Sequence, residues 1–292
     1  MKRIPLLVVL YAIWLASGSA LAAGPKKIKQ PKTFPLVIST PGSYIFASDI
    51  NVPDADTTAI SIMTDDVTLD LSGFSILGPS DCSGFGAALT CAPTGMGNGI
   101  SSSRKGITIR NGTIRGMGSL GIRLNGGVPS RIERVRVFSN GGGGIQSAGS
   151  LVDNTIEKNG GSGASGGGEV SGNVVLYNKV NGLFIFYGSI TGNTVLGNGK
   201  DGITPESGAL VSGNSVKGNQ GDGISDGGGS MGLVVTGNSV NDNTGFALKC
   251  VVVPGAYSNN VFNGNNGGNA NPQVANCLQM GTNMCGGDTT CP

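Results

Sequence analysis

A glycine followed by an apolar residue recurs along this chain with a nearly constant interval. The pairs are Gly99-Ile100, Gly121-Ile122, Gly144-Ile145, Gly163-Ala164, Gly182-Leu183, Gly202-Ile203, Gly223-Ile224 and Gly245-Phe246, spaced 19 to 23 residues apart. A second marker, asparagine, closes each unit at Asn140, Asn159, Asn178, Asn198, Asn219, Asn243 and Asn265. Short alternating runs lie between them; Ser189-Ile190-Thr191-Gly192-Asn193-Thr194-Val195 reappears one unit later as Leu210-Val211-Ser212-Gly213-Asn214-Ser215-Val216. A period in this range means a solenoid or a propeller. Propeller blades need about 40 residues, and the frame of a leucine-rich repeat is missing. Short period-two strands between Gly/Asn corners describe coils of a β-solenoid. Apolar residues then stack on their counterparts one rung away, while asparagine and glycine take the left-handed corners.

Composition agrees. Glycine fills 53 of 292 positions and asparagine 26, and both are poor helix formers. Collagen is excluded because no three-residue glycine period is present. Disorder is disfavoured because 38 % of the residues are hydrophobic and recur in register. The chain has no histidine, which removes Ser-His-Asp, Cys-His and His-metal chemistry together.

The amino terminus reads as an export signal. Met1-Lys2-Arg3 precedes an apolar run from Ile4 to about Leu15, and Ala20-Leu21-Ala22 is an A-x-A cleavage pattern. The expected signal covers 1–22, with cleavage near Ala22-Ala23. A basic, proline-containing leader is expected over 23–35, where Lys26, Lys27, Lys29 and Lys32 stand. No later stretch is long and apolar enough to span a bilayer. Without Lys2 and Arg3, basic and acidic residues balance at 17 each, so nothing points to nucleic acid. The expected destination is the periplasm, the cell surface or the medium.

Six cysteines suit an oxidising compartment. Of the 15 possible pairings, proximity favours Cys82–Cys91, Cys250–Cys277 and Cys285–Cys291. Zinc is disfavoured, with no C-x-x-C pair and no histidine.

The repeats resemble the right-handed parallel β-helix proteins of the pectin-lyase-like superfold, in particular bacterial exported β-helix-repeat proteins. Pro41-Gly42-Ser43-Tyr44-Ile45-Phe46 resembles their opening strand. Asp66 to Ile76 and Gly106 to Ile114 resemble their first full coils. The resemblance implies an all-β, single-stranded right-handed parallel β-helix of about eight to nine coils. The helix is expected over 36–265, with a cysteine-containing cap over 266–292. Function does not follow, because this superfold hosts lyases, hydrolases, epimerases and non-catalytic proteins. The G-H-G and R-I-K motifs of its polygalacturonase-type hydrolases are absent, as is the D-P-H-D motif of its alginate-type epimerases. No catalytic residue carries over by resemblance.

Gly161-Ser162-Gly163-Ala164-Ser165-Gly166 matches G-x-G-x-x-G but falls in register with the coils, so it reads as a corner. Residues 104–136 hold seven arginines and one lysine against a single acid, Glu133. Coil alignment places Arg110 beside Glu133 and Arg134 beside Asp153, as ion pairs between rungs or as a face for an acidic polysaccharide. A further cluster follows the corners of the later coils. Alignment stacks Asn181, Asp201 and Asp222, sets Phe184 beside Thr204 and Ser225, and sets Phe186 beside Glu206. Pro205 aligns with Asp226. Aromatic faces stack on sugar rings while acids bond hydroxyls, so Phe184, Phe186, Asp201 and Asp222 are the expected substrate-binding residues. Glu206 or Asp226 is the expected acid/base, with Lys200 as fallback base. Asp201 and Asp222 are the candidate ligands for calcium, which prefers carboxylate oxygens; no other cofactor is expected. Two functions fit: an exported surface or glycan-binding protein, and a divergent polysaccharide lyase or glycoside hydrolase. The expected partner in both is a polysaccharide or cell-surface glycan.

Overall fold

Three short strands make one coil. In the middle of the molecule they are Ile145–Ser147, Ser150–Val152 and Thr155–Glu157, each with its apolar side chains turned inward. The same three strands one coil on pair with them in parallel, as Ile145↔Ala164, Leu151↔Val170 and Ile156↔Val175 show. Repetition gives three parallel sheets wrapped round a single core, a right-handed β-solenoid of about 11 turns with almost no helix. The computed structural model describes residues 24–126, 129–228, 232–251, 255–268, 272–286 and 291. The expected export signal over 1–22 and its cleavage point lie outside the described residues.

The expected count of eight to nine coils is too low. The glycine marker is missing from the first rungs, where Pro35-Leu36 and Ala59-Ile60 take its place, and from the last two, where Ala247-Leu248 stands at the corner instead of the expected Gly245-Phe246 and Gln273-Val274 follows it. The inward column of Ile60, Ile100, Ile122, Ile145, Ala164 and Leu183 continues through these end rungs, whereas in the central coils a Cβ on the preceding glycine would clash with the next coil, 2.5 Å from the Gly163 carbonyl oxygen at Gly144. The expected leader also carries a rung: Lys26–Ile28 pairs with Tyr44 to Phe46, exposing its lysines and burying Ile28. The expected cap supplies one more coil, with Val261↔Met284 and Phe262↔Cys285 in register.

Two asparagine ladders run through the corners. One joins Asn140, Asn159, Asn178, Asn198, Asn219, Asn243 and Asn265 and ends on Gln273. The other joins Asn154, Asn173, Asn193, Asn214, Asn238, Asn260 and Asn283. From Asn159 to Asn265 and from Asn154 to Asn260, each side-chain amide donates to the side-chain oxygen of the next ladder residue and to a carbonyl one coil back. These are buried polar groups whose hydrogen bonds are met by the repeat itself.

All three expected disulfides are present, Cys82–Cys91, Cys250–Cys277 and Cys285–Cys291. The first closes an antiparallel hairpin of Asp81–Ser83 and Thr90–Ala92, the only antiparallel pair among the described strands. The arginine belt differs from expectation in its partners. Arg110 does face Glu133 across the rungs, yet its guanidinium bonds Asp70 at 2.9 Å. Glu133 is taken instead by Arg131 at 2.6 Å and Arg134 at 2.7 Å, so Arg134 does not pair with Asp153. Both arginines reach Glu133 from its own strand, which leaves the expected cross-rung contacts unused. These paired guanidiniums hold the Glu133 carboxyl below its ordinary range, the Arg131 hydrogen bond contributing most.

Candidate aromatic groove on the first sheet

The first sheet contains the strands that follow the glycine corners. Its outward column runs Ser101, Arg123, Gln146, Ser165, Phe184, Thr204, Ser225 and Lys249 on successive rungs. One feature breaks its regularity. Gly166 faces Ile185 and Gly168 faces Gly188, so Gly167 alone stands opposite both Phe186 and Tyr187. Such a bulge turns two consecutive side chains away from the core. Phe186 is accordingly 42 % exposed and Tyr187 48 % exposed.

Gly167 makes room for this pair. A Cβ placed there would sit 2.5 Å from the Tyr187 ring, so only glycine lets the ring lie against the backbone. Phe184 braces Phe186 edge-to-face, with ring centroids 5.2 Å apart. Within reach of these rings, Asn125, Gln146, Ser147 and Ala148 complete an open groove of about 240 Å³. An aromatic floor with amide and hydroxyl walls suits a polyhydroxylated ring, whose C–H faces stack while its hydroxyls hydrogen-bond.

The expected site residues divide. Phe184, Phe186 and Glu206 come together on the outward face, because Ile185↔Pro205 and Tyr187↔Ser207 set Glu206 one rung from Phe186. The Glu206 side chain leans over Gly227, and no ion pair or hydrogen bond engages it among the described residues. Beside it, Thr204 is buried with its Oγ1 unpartnered.

Asp226 faces inward. Its Oδ1 accepts the Gly228 N–H at 2.8 Å and its Oδ2 the Val251 N–H at 3.1 Å, which makes it a turn brace. Asp201 and Asp222 stand at the opposite edge of the sheet, before the corner. Asp201 Oδ1 accepts the Asp222 N–H, and Asp222 Oδ1 accepts the Phe246 N–H, both at 2.8 Å. Burial raises the Asp201 carboxyl above its ordinary range, with the like charge of Asp222 adding to it. The Lys249 ammonium lies 3.5 Å from Asp222 Oδ2. A carboxylate pair spent on backbone donors and a lysine offers little to a cation, and no group of three or more metal-ligating side chains occurs among the described residues. Lys200 is exposed at that same edge, six residues before Glu206, about 20 Å of extended chain.

Tyr187, Gln146, Asn125 and Lys249 escaped sequence reasoning. Of these only Tyr187 left a signal, since the unit length changes from 19 to 20 residues at Gly182, where its strand carries the extra residue.

A family model described as the right handed beta helix region matches residues 73–209. No curated protein matches the chain. Among solved structures, the A-module of the Azotobacter vinelandii mannuronan C-5 epimerase AlgE6 superposes with a TM-score of 0.50 at 13 % identity, covering 86 % of this chain and 82 % of that one. The A-module of the mannuronan C-5 epimerase AlgE4 from the same organism gives 0.41 at 14 % identity, covering 80 % and 72 %. At 13 % identity the likeness to the AlgE6 module is one of fold.

Proposed function

We propose that this chain, a right-handed β-helix repeat protein, binds a polysaccharide in the groove that Phe186 and Tyr187 floor. The bulge opposite Gly167 carries this reading: it holds two adjacent aromatic rings out of the core, at positions where every neighbouring coil presents a polar or small residue. Rungs repeat at roughly 4.8 Å, close to the roughly 5 Å length of one sugar unit, so a glycan laid along the coils meets an equivalent position at each residue. The fold is shared with a mannuronan epimerase module, which supports the ligand class by analogy alone.

Binding without turnover is the form we favour. Hydrolysis of a glycoside by the usual route needs two carboxyl groups flanking the bond. Here Glu206 stands beside the aromatic floor, while both oxygens of Asp226 are engaged in a turn. Three closed disulfides suit an oxidising compartment, and we place the protein outside the cytoplasm, released from a signal ending near Ala22.

Incubation with a panel of acidic and neutral polysaccharides, with and without calcium, tests both parts. Retention of the protein without new reducing or unsaturated ends is the expected result. Failure to bind any member would overturn the reading, and new ends would make the protein an enzyme.

A further inference from the structure

Residues 78–97 leave the coil path and lie along the outside of the solenoid as a strap. The hairpin of Asp81–Ser83 and Thr90–Ala92 is closed by Cys82–Cys91, which face each other in its register. Both sulfurs rest on the Asn140 carbonyl oxygen, at 3.6 and 3.7 Å. Four ladder steps further on, the Ala87 N–H donates to Gln220 Oε1 at 3.0 Å. The strap therefore crosses roughly 19 Å of the rod, with Leu89 fully buried beneath it.

Phe85 at the tip takes no part in that packing and is 62 % exposed. Its ring meets Tyr177 edge-to-face, centroids 6.1 Å apart. Tyr177 is itself fixed at a corner with φ of 55°, and its ring lies so close to Gly197 that a Cβ there would come within 2.6 Å. Together with Lys158 these rings line an open hollow of about 340 Å³. Lys158 makes no ion pair among the described residues, and the neighbouring Glu157 is neutralised by Arg136. Exposed Lys179 follows Tyr177 by two residues. A strap that only braced the coils would turn Phe85 under with Leu89. Instead it presents a rigid ring pair beside an uncompensated ammonium.

We propose that Phe85, Tyr177 and Lys158 form a second glycan-binding site, for a sugar bearing a carboxylate. The rings stack on the pyranose face and the Lys158 ammonium meets the carboxylate, whose charge it complements. This site lies at the corner between the third sheet and the first, away from the Phe186–Tyr187 groove. It rests on the groove reading only in the class of ligand. A protein with two such sites on a rigid rod holds one long polysaccharide at two points or bridges two chains, and gains avidity over either site alone.

The test uses Phe85→Trp as a reporter in the full protein, titrated with oligogalacturonate and with neutral cello-oligosaccharide. Oligogalacturonate is expected to shift the Trp emission saturably, and the neutral oligomer to leave it unchanged. Lys158→Ala in that background is expected to weaken the response roughly fivefold and to remove much of its salt dependence. Tyr187→Ala, which empties the groove, is expected to leave the response intact. An emission insensitive to oligogalacturonate, in a protein that still binds glycan through Tyr187, overturns this site and leaves the groove standing. A saturable response in a protein whose Tyr187→Ala variant loses no binding retains this site and removes the groove.

Discussion

Asn159 Nδ2 donates to Asn178 Oδ1 at 2.9 Å, and the Asn159 backbone N–H donates to the same oxygen at 3.0 Å. One buried acceptor thus serves two donors of the preceding coil, and the pattern repeats along both ladders. The link is between coils, so each asparagine ties its turn to its neighbour while shaping its own corner.

Removing one member should therefore cost more than one hydrogen bond. Asn178→Ala leaves the Asn159 backbone N–H and one of the two Nδ2 hydrogens without an acceptor in the core, the other still meeting the Val137 carbonyl, and the expected loss is about 2–4 kcal/mol. Asn178→Asp keeps the acceptor but loses the donations to Ile156 O and Asn198 Oδ1. Urea unfolding should find both variants destabilised; an unfolding midpoint unchanged in Asn178→Ala would show that the ladder adds nothing.

The corner carboxyl Asp201 gives a pH prediction. Its folded pKa is raised by burial, so between the unfolded value and the folded one the native state binds the extra proton. Stability from this group therefore falls as pH rises through that interval, and the loss persists at neutral pH. Asp201→Asn removes the charge while keeping an Oδ1 in place of the one that accepts the Asp222 N–H at 2.8 Å. The variant should melt higher than wild type at pH 7 and equally near pH 3. Equal melting at both pH values would contradict it.

Asp70 contributes the opposite sign. Burial alone would raise its carboxyl, but the Ser72 N–H, Asn111 and Arg110 together lower it. Stability from Asp70 is present above the unfolded value and is lost as pH falls through the folded one. Asp70→Asn should flatten the acid limb of the stability profile; an unaltered limb would assign acid unfolding to other groups.

How far the fold could be read depended on what each coil must place at its corner. Asparagine at the ladder and an apolar residue after the corner are local demands, so the period is visible between Gly99 and Asn265. The outer coils escaped or were misregistered because Pro35, Ala59, Ala247 and Gln273 serve where glycine stands elsewhere. The aromatic floor was half visible. Phe186 stood out by type, but Tyr187 faces outward only because its strand has one residue more than its neighbour, a property of two strands and not of one. Asp226 misled because its position alternates as an inward one, and a carboxylate there is spent on turn N–H groups. The strap reads as a short loop between two cysteines until Gln220, 133 residues away from Ala87, is seen to hold its tip.

Gly167 offers a way to disturb the groove without touching its rings. Gly167→Ala places a methyl against the Tyr187 ring and should weaken glycan binding about as much as Tyr187→Ala. The expected effect on the melting temperature is small, because the ring is already half exposed. Full affinity in Gly167→Ala would mean that the seating of Tyr187 does not matter to binding.

Oxidised protein, denatured without reductant, should show almost no titratable thiol, since every cysteine is paired. Cys250→Ser/Cys277→Ser should lose about 3 kcal/mol, as expected for closing a loop of 27 residues. Six free thiols would remove both the bridges and the support they lend to export.

The account stands most directly on calorimetric titration of wild type and of Phe186→Ala/Tyr187→Ala with whichever polysaccharide the panel retains. Affinity at the groove should fall about tenfold or more in the double variant, at an unchanged melting temperature. Undiminished affinity in a folded double variant would contradict the groove.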